Sequence, residues 1–237
     1  MRMKPKKICI IIPAYNEGAV IGEVIRNARK AFGRYRKYKI DIIVVDDGSA
    51  DNTATIANDA GAHVIKHILN TGAGGATSTG LSFASKNDYD IAATMDADGQ
   101  HLPNDILTGI ELSLKTQSDL LIGSRLIDSK GMSKVKVLGN WGLSLITHLL
   151  FGIKATDSQS GLRIFSKRSL RELRWNTSGY EFCSEMLWRA NQLDLSIKEY
   201  PITAVYTEYS KSKGQSNWNA INIVKSLVKR RLTEALE

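Results

Sequence analysis

The stretch Ile91-Ala92-Ala93-Thr94-Met95-Asp96-Ala97-Asp98-Gly99-Gln100-His101 opens as an apolar strand and breaks into a loop that carries two carboxylates and an amide. Carboxylates two positions apart can reach one divalent cation, and Gln100 adds a neutral oxygen. Hard oxygen donors of this kind suit Mg²⁺ or Mn²⁺, which neutralise a diphosphate. A solvated Asp-Gly turn explains the same letters. The carboxyl end of a strand in a βα sheet favours the ligand site, so the fold decides between the readings.

Outward from this loop, short β-branched runs alternate with longer helical patterns, the signature of a parallel sheet built from βα units. Strands are expected over Ile8–Ile12, Asp41–Val45, Ala62–Ile65, Ile91–Met95 and Leu120–Ile122. Helices are expected over Ala19–Phe32, Thr53–Ala60, Gly75–Ser85 and Pro103–Leu114. Beyond Arg125 lie a basic linker around Lys130, Lys134 and Lys136 and an apolar segment, Val137–Phe151. Strand patterns return at Gly161–Phe165 and Ser196–Tyr206, with a helix near Phe182–Leu193 between them. The fold class is α/β, a Rossmann-like, mostly parallel central sheet flanked by helices. Residues 1–216 read as one catalytic domain, and 217–237 as a basic amphipathic helix with Trp218, Ile221, Val224, Leu227 and Leu232 at helical spacing.

Other strand ends carry chemistry too. Pro13-Ala14-Tyr15-Asn16-Glu17 delivers an aromatic ring and a carboxylate to the rim. Tyr15 can pack on a base and Glu17 can bind ribose hydroxyls, although Glu17 also suits the first turn of a helix. Asp46-Asp47-Gly48-Ser49 follows the second strand; Asp46 or Asp47 is read as a nucleobase or ribose contact, and Ser49–Asp51 as a helix cap. Asn70–Gly75 is a glycine-rich approach to a helix that could admit a diphosphate, with Gly75 at the helix start.

The 237-residue chain has 43% hydrophobic and 24% charged residues, an ordinary globular balance. Its net charge of +8 favours anionic partners without choosing among nucleic acid, lipid and phosphorylated substrate. The basic residues are scattered and no zinc, RNA-recognition or helix-turn-helix signature is present, so nucleic acid is not expected as a partner. Two cysteines far apart in apolar contexts point to a reducing cytosol. No signal peptide is expected. Val137–Ile153 is interrupted by polar residues and glycines, whereas a spanning helix needs about 20 mostly apolar residues, so none is expected.

In order, Pro13–Glu17, Val45–Ser49, Asn70–Ala76, Asp96–Gln100, Gly123-Ser124-Arg125 and Asp157–Arg163 resemble the family 2 inverting glycosyltransferases. The likeness is strongest to the dolichol-phosphate mannose synthase and polyprenyl-phosphate glycosyltransferase branch. It implies a GT-A fold, a nucleotide-diphosphate sugar donor, and Mg²⁺ or Mn²⁺ held by Asp96, Asp98 and Gln100. Donor contacts would come from Pro13, Ala14, Tyr15, Glu17, Asp46, Asp47, Gly75, Asp96, Ala97 and Asp98. The acceptor would be a polyprenyl phosphate that receives a hexose, with Arg125 and Arg163 near its phosphate and Asp157 orienting Arg163 or the sugar. Glu185 reads equally as a site carboxylate and as a solvated helix charge.

The chain departs from that branch at Ala73, where a lysine is frequent, and in its basic amphipathic tail in place of transmembrane helices. A peripheral position on the cytoplasmic face of the membrane is therefore expected, with a membrane protein as a possible partner. A family 2 enzyme acting on a glycan hydroxyl and a non-catalytic nucleotide-sugar binding protein are the alternatives. A nucleotidyltransferase fits less well, because no basic glycine-rich loop follows the first strand.

Overall fold

The computed structural model describes residues 5–206, Tyr209, Val224 and Lys225. The strands are β1 (Lys6–Ala14), β2 (Tyr38–Asp46), β3 (His63–Lys66), β4 (Ile91–Thr94), β5 (Leu120–Ser124), β6 (Arg163–Ser166) and β7 (Ile197–Pro201). They form one sheet in the order β3-β2-β1-β4-β6-β5-β7. Every neighbouring pair is parallel except that β6 runs against both β4 and β5. The helices are α1 (Ile21–Phe32), α2 (Thr53–Asp59), α3 (Gly72–Lys86), α4 (Pro103–Thr116), α5 (Lys134–Phe151), α6 (Lys167–Glu172) and α7 (Phe182–Gln192).

The side-chain alternation of β1 divides the core. Ile8, Ile10 and Ile12 face the layer of α1 and α4, whereas Cys9 and Ile11 face the layer of α3 and α7. Both faces are dry, which is why β1 reads as an unbroken apolar run. Local chemistry sets the helix ends. Pro103 opens α4, and Gln117 closes it in the left-handed region at φ 49°. The Ser133 hydroxyl caps α5 by accepting from the Lys136 N–H, and Gly152 ends that helix at φ 72°.

Several boundaries differ from the sequence reading. α3 begins at Gly72, a turn earlier than Gly75, because the loop before it is held by side-chain acceptors described below. β7 stops at Pro201, short of Tyr206, with Ile202 N–H donating to Ser124 O (3.0 Å) just beyond it. α6 was not expected; it is a short helix capped by the Ser166 hydroxyl. Lys134 and Lys136 belong to α5 and not to a linker. The boundary at residue 216 and the tail helix lie outside the described residues, apart from Val224, which packs against Leu143.

The reversed direction of β6 matters most for the site. Arg163, its first residue, aligns with Thr94 at the end of β4. The segment that precedes β6, residues 157–162, is thereby delivered to the rim that carries Asp96 and Asp98. A parallel strand would have sent it to the opposite end of the sheet.

Candidate active site

The rim is assembled from the ends of β1, β2, β4 and β5 and the loop before β6. At the end of β1 the chain turns through Asn16 in the left-handed region, at φ 54°. Asn16 N–H donates to the Ser49 hydroxyl (2.9 Å), Ala50 N–H donates to Asn16 Oδ1 (2.9 Å), and Glu17 N–H donates to the Thr53 hydroxyl (2.8 Å). Residues 49–53 therefore pin the Pro13–Glu17 turn; Ser49, read as part of a helix cap, accepts from Asn16 N–H instead, and the N-cap of α2 is Asn52. Tyr15 stands exposed on this turn beside Pro13 and Ala14, and Glu17 Oε2 accepts from the Tyr209 hydroxyl (2.7 Å).

The two aspartates that close β2 have separate fates. Asp47 N–H donates to Ala14 O (2.8 Å), and its carboxylate is turned toward α3. That carboxylate accepts from Thr71 N–H (2.8 Å), the Thr71 hydroxyl (2.7 Å) and Gly72 N–H (2.7 Å), and pairs with His67 Nδ1 (2.8 Å). Burial alone would raise its pKa, but these donors outweigh burial and hold it below the ordinary carboxylate value. Asp47 is thus a clamp on the start of α3. Gly74 N–H is likewise taken, by Ser178 O (2.7 Å), so two N–H groups of the helix start are engaged within the protein. Gly75, expected at the helix start, sits within the first turn of α3, packed against Thr71.

Asp46 contrasts with its neighbour. It is fully buried, Oδ1 accepts from Ser49 N–H (3.1 Å), and Oδ2 is buried with no hydrogen-bond partner in the described structure. A buried carboxylate oxygen left unmatched is costly, which makes Asp46 the acceptor available to a ligand N–H or O–H.

Asp47→Asn should lower stability at neutral pH by about 2 kcal/mol, through lost charge-assisted hydrogen bonds. Because the folded pKa is depressed, the deficit is present above the unfolded aspartate value of about 4 and fades as pH falls through the lower folded value. Thermal melts of parent and variant from neutral to acid pH check this; a pH-independent gap would remove the carboxylate from the account.

After β4, Asp96 is half-exposed while Asp98 is more enclosed. Asp98 Oδ1 accepts from Gln100 N–H (3.0 Å). Burial, then the nearby Asp96 charge, pushes the Asp98 carboxyl up to about 6, with Glu17 adding to the repulsion. Crowded carboxylates of this kind fit a cation. No group of three or more His, Cys, Asp or Glu side chains with metal-holding geometry occurs among the described residues. Two carboxylates nonetheless match Mg²⁺-type ions, which keep most of their coordination for water and substrate phosphates.

His101, quoted in the sequence motif without a role, is buried beneath this loop. Its Nδ1 accepts from Asp96 N–H (3.0 Å), which leaves the proton on Nε2, 3.7 Å from Asp96 Oδ2. Burial lowers the imidazole pKa and keeps the ring neutral. On the other flank, a Cβ at Gly161 would collide with the Asp96 carboxylate, and the Thr94 hydroxyl donates to Gly161 O (2.7 Å) to hold that segment close.

Arg125, just beyond β5, meets Asp157 in a bidentate pair: Nε to Oδ2 at 2.7 Å and Nη2 to Oδ1 at 2.9 Å, with Arg125 N–H also donating to Oδ2 (3.1 Å). Asp157 is fully buried, and it orients Arg125, where Arg163 had been expected. Arg163 is itself only 1% exposed. Its guanidinium donates to Ser160 O (3.1 Å), Cys183 O (3.1 Å) and Ser158 O (2.7 Å), stitching the loop before β6 to α7. Its position at the phosphate is therefore corrected to a scaffold position. Glu185, read at even odds as solvated, is buried, and its two oxygens accept from the N–H groups of Asn176 (3.1 Å) and Thr177 (2.8 Å).

α5 lies against the loop before β6 and against α7 through small hydroxyls. Ser158 N–H donates to Ser144 Oγ (2.9 Å), and the Thr147 and Ser184 hydroxyls meet at 2.8 Å. Its apolar side chains face the other way: Val135, Leu138, Trp141, Leu145 and Leu149 are all exposed. Among the described residues, no helix is long and apolar enough to cross a membrane.

Comparison with known proteins places the chain in a family. A UDP-N-acetylglucosamine–dolichyl-phosphate N-acetylglucosaminyltransferase of Methanococcus voltae is 40% identical, over 99% of this chain and all of its own (100%). An undecaprenyl-phosphate mannosyltransferase of Micrococcus luteus is 32% identical, over 87% of each chain. Glucosyl-3-phosphoglycerate synthase of Mycobacterium tuberculosis, solved with Mn²⁺ and UDP-glucose, superposes with a TM-score of 0.69 at 18% identity, over 94% of this chain and 77% of that one, which shows a shared GT-A fold. The model of the family described as glycosyl transferase family 2 matches residues 9–183. With its carboxylate loops at the strand ends that this match spans, the chain belongs to glycosyl transferase family 2.

Proposed function

We propose that this glycosyltransferase moves a hexose, mannose or glucose, from a nucleotide-diphosphate sugar to a polyprenyl phosphate with inversion at the anomeric carbon. The observation that carries the acceptor class is the state of the buried carboxylates in the second half of the chain. A hydroxyl acceptor needs a general base. Both oxygens of Asp157 are engaged by Arg125, and both oxygens of Glu185 accept backbone N–H groups. An acceptor that arrives already ionised requires no base. The relatives named for dolichyl and undecaprenyl phosphate support the same reading.

In this mechanism the unmatched Asp46 Oδ2 receives a base or ribose donor, Tyr15 covers the base, and Glu17 meets the ribose. Asp96 and Asp98, with Gln100 beside them, would hold a divalent cation, Mg²⁺ or Mn²⁺, which supplies charge neutralisation for the diphosphate. Arg125, held still along its Nε–Nη2 edge by Asp157, offers its remaining guanidinium N–H groups to the acceptor phosphate. An acceptor phosphate oxygen bonds to the anomeric carbon as the bond from that carbon to the donor diphosphate breaks, and the nucleoside diphosphate leaves with the electron pair. A panel of labelled nucleotide sugars, tested with a short polyprenyl phosphate with and without Mn²⁺, tests this. Transfer should need both the cation and the lipid phosphate; donor binding without transfer from any donor would make the chain a nucleotide-sugar binding protein.

The outward stripe of α5, flanked by Lys130, Lys134 and Lys136, supports peripheral attachment to the cytoplasmic face of a membrane. Leu145→Asp with Leu149→Asp should abolish sedimentation with anionic liposomes and cut transfer to a long-chain lipid at least about tenfold, while donor binding is unchanged. Full activity of the double variant on liposome-bound acceptor would remove α5 from the attachment.

A further inference from the structure

At the far end of the sheet from the catalytic rim, β2 lacks a neighbouring strand on one side among the described residues. It pairs with β1 from Tyr38 onward, but β3 joins it only from Ile43, opposite His63. Within a parallel strand the N–H and C=O of one residue point to the same side, and alternate residues share that side. Asp46 O accepts from His67 N–H (2.8 Å), so the even-numbered residues of β2 face the β3 line. Ile40 therefore presents its backbone groups where no strand lies beside it. A cavity of about 700 Å³ opens along this edge.

The two walls of the cavity differ. On the α1 side stand Arg29, Phe32 and the exposed Arg36. On the α3 side stand Phe83, stacked on His63 with ring centroids 5.2 Å apart, and Tyr89, whose hydroxyl donates to Asp41 (2.9 Å).

We propose that this groove is a docking site for an extended, acidic segment of a partner protein, which adds to the free edge of β2 as a short parallel strand. The open edge offers donors and acceptors at strand spacing, which a strand matches and a small planar ligand does not. A strand added here sends alternate side chains to opposite faces. Carboxylates would point to Arg29 and Arg36, and apolar side chains would point to Phe83 and His63, so the groove selects an alternating acidic–apolar sequence. Because the groove lies at the opposite end of the sheet from Asp96 and Asp98, such a partner can be held while the rim is occupied.

The test uses the full chain and three blocked octapeptides: alternating Glu and Val, the same peptide with the pairing amides N-methylated, and alternating Lys and Val. Calorimetry measures affinity, and hydrogen exchange follows the Ile40 and Ile42 amides. The Glu–Val peptide should bind and slow exchange at these amides, whereas N-methylation or Arg36→Glu should each weaken it at least about tenfold, with Mn²⁺-dependent nucleoside diphosphate binding unchanged. Three results would overturn the proposal. Absence of binding at millimolar peptide would make the cations a guard against strand pairing. Equal binding of the N-methylated peptide would reduce it to charge attraction. Displacement by a nucleoside monophosphate would make the groove a small-molecule site.

Discussion

Asp98→Asn should lower turnover by about a thousandfold or more, the scale on which loss of a group that stabilises transition-state charge is felt. The substitution keeps the shape of the side chain and its acceptor for the Gln100 N–H, so the loop should stay folded. What is lost is the negative charge beside Asp96 that a cation needs. Donor affinity, measured with and without Mn²⁺, should lose its dependence on the ion, and the thermal midpoint should not fall, because an asparagine relieves the repulsion that raises the Asp98 carboxyl. Unchanged turnover in saturating Mn²⁺ would displace the cation from this loop.

Arg125→Lys should be nearly as damaging, with a different profile. The buried Asp157 carboxylate now receives two side-chain N–H groups and one backbone N–H from Arg125, and an ammonium cannot reproduce that fork. Turnover with lipid phosphate should fall about a hundredfold or more, whereas nucleoside diphosphate affinity in Mn²⁺ should change less than about threefold. Removing Asp157 instead leaves a buried guanidinium without its partner, which costs about 3–5 kcal/mol, so Asp157→Ala should lose stability as well as transfer. A loss of donor affinity as large as the loss of transfer in Arg125→Lys would assign the guanidinium to the donor diphosphate.

Much of the rim was legible because strand ends are marked in sequence by an apolar run that stops at Asp, Asn or Gly, as at Asp46, Asp96 and Asn16. The pairing of strands was not, since the antiparallel course of β6 depends on contacts between residues 94 and 163, far apart in the chain. That single reversal places Gly161 against Asp96, a contact that no local pattern shows. Asp46 and Asp47 are indistinguishable as letters. They part because chain alternation turns the Asp46 carboxylate inward, beneath Ser49, and the Asp47 carboxylate toward Thr71 and Gly72. Arg163 misled for a related reason: an arginine in a polar motif reads as an anion site, and only its geometry shows the guanidinium spent on backbone carbonyls. The apolar content of α5 was visible, but its orientation rests on Ser144 and Thr147, which turn small hydroxyls inward beside Leu143 and leave Leu138, Leu145 and Leu149 outside. His101 had a signal in its fixed place after Gln100, although a histidine there gives no hint that its ring faces the Asp96 backbone.

The central claim is that the acceptor brings its own negative charge. It is tested most directly by offering one labelled nucleotide sugar, in Mn²⁺, to three acceptors of matched concentration: a short polyprenyl phosphate, the same polyprenol without phosphate, and a glycan with free hydroxyls. The account predicts glycosyl polyprenyl phosphate as the product, with transfer to the bare polyprenol and to the glycan at background. Transfer to either hydroxyl acceptor at a rate equal to or above that of the phosphate would contradict it, because Asp157 and Glu185 leave no buried carboxylate in that half of the described chain to take the proton.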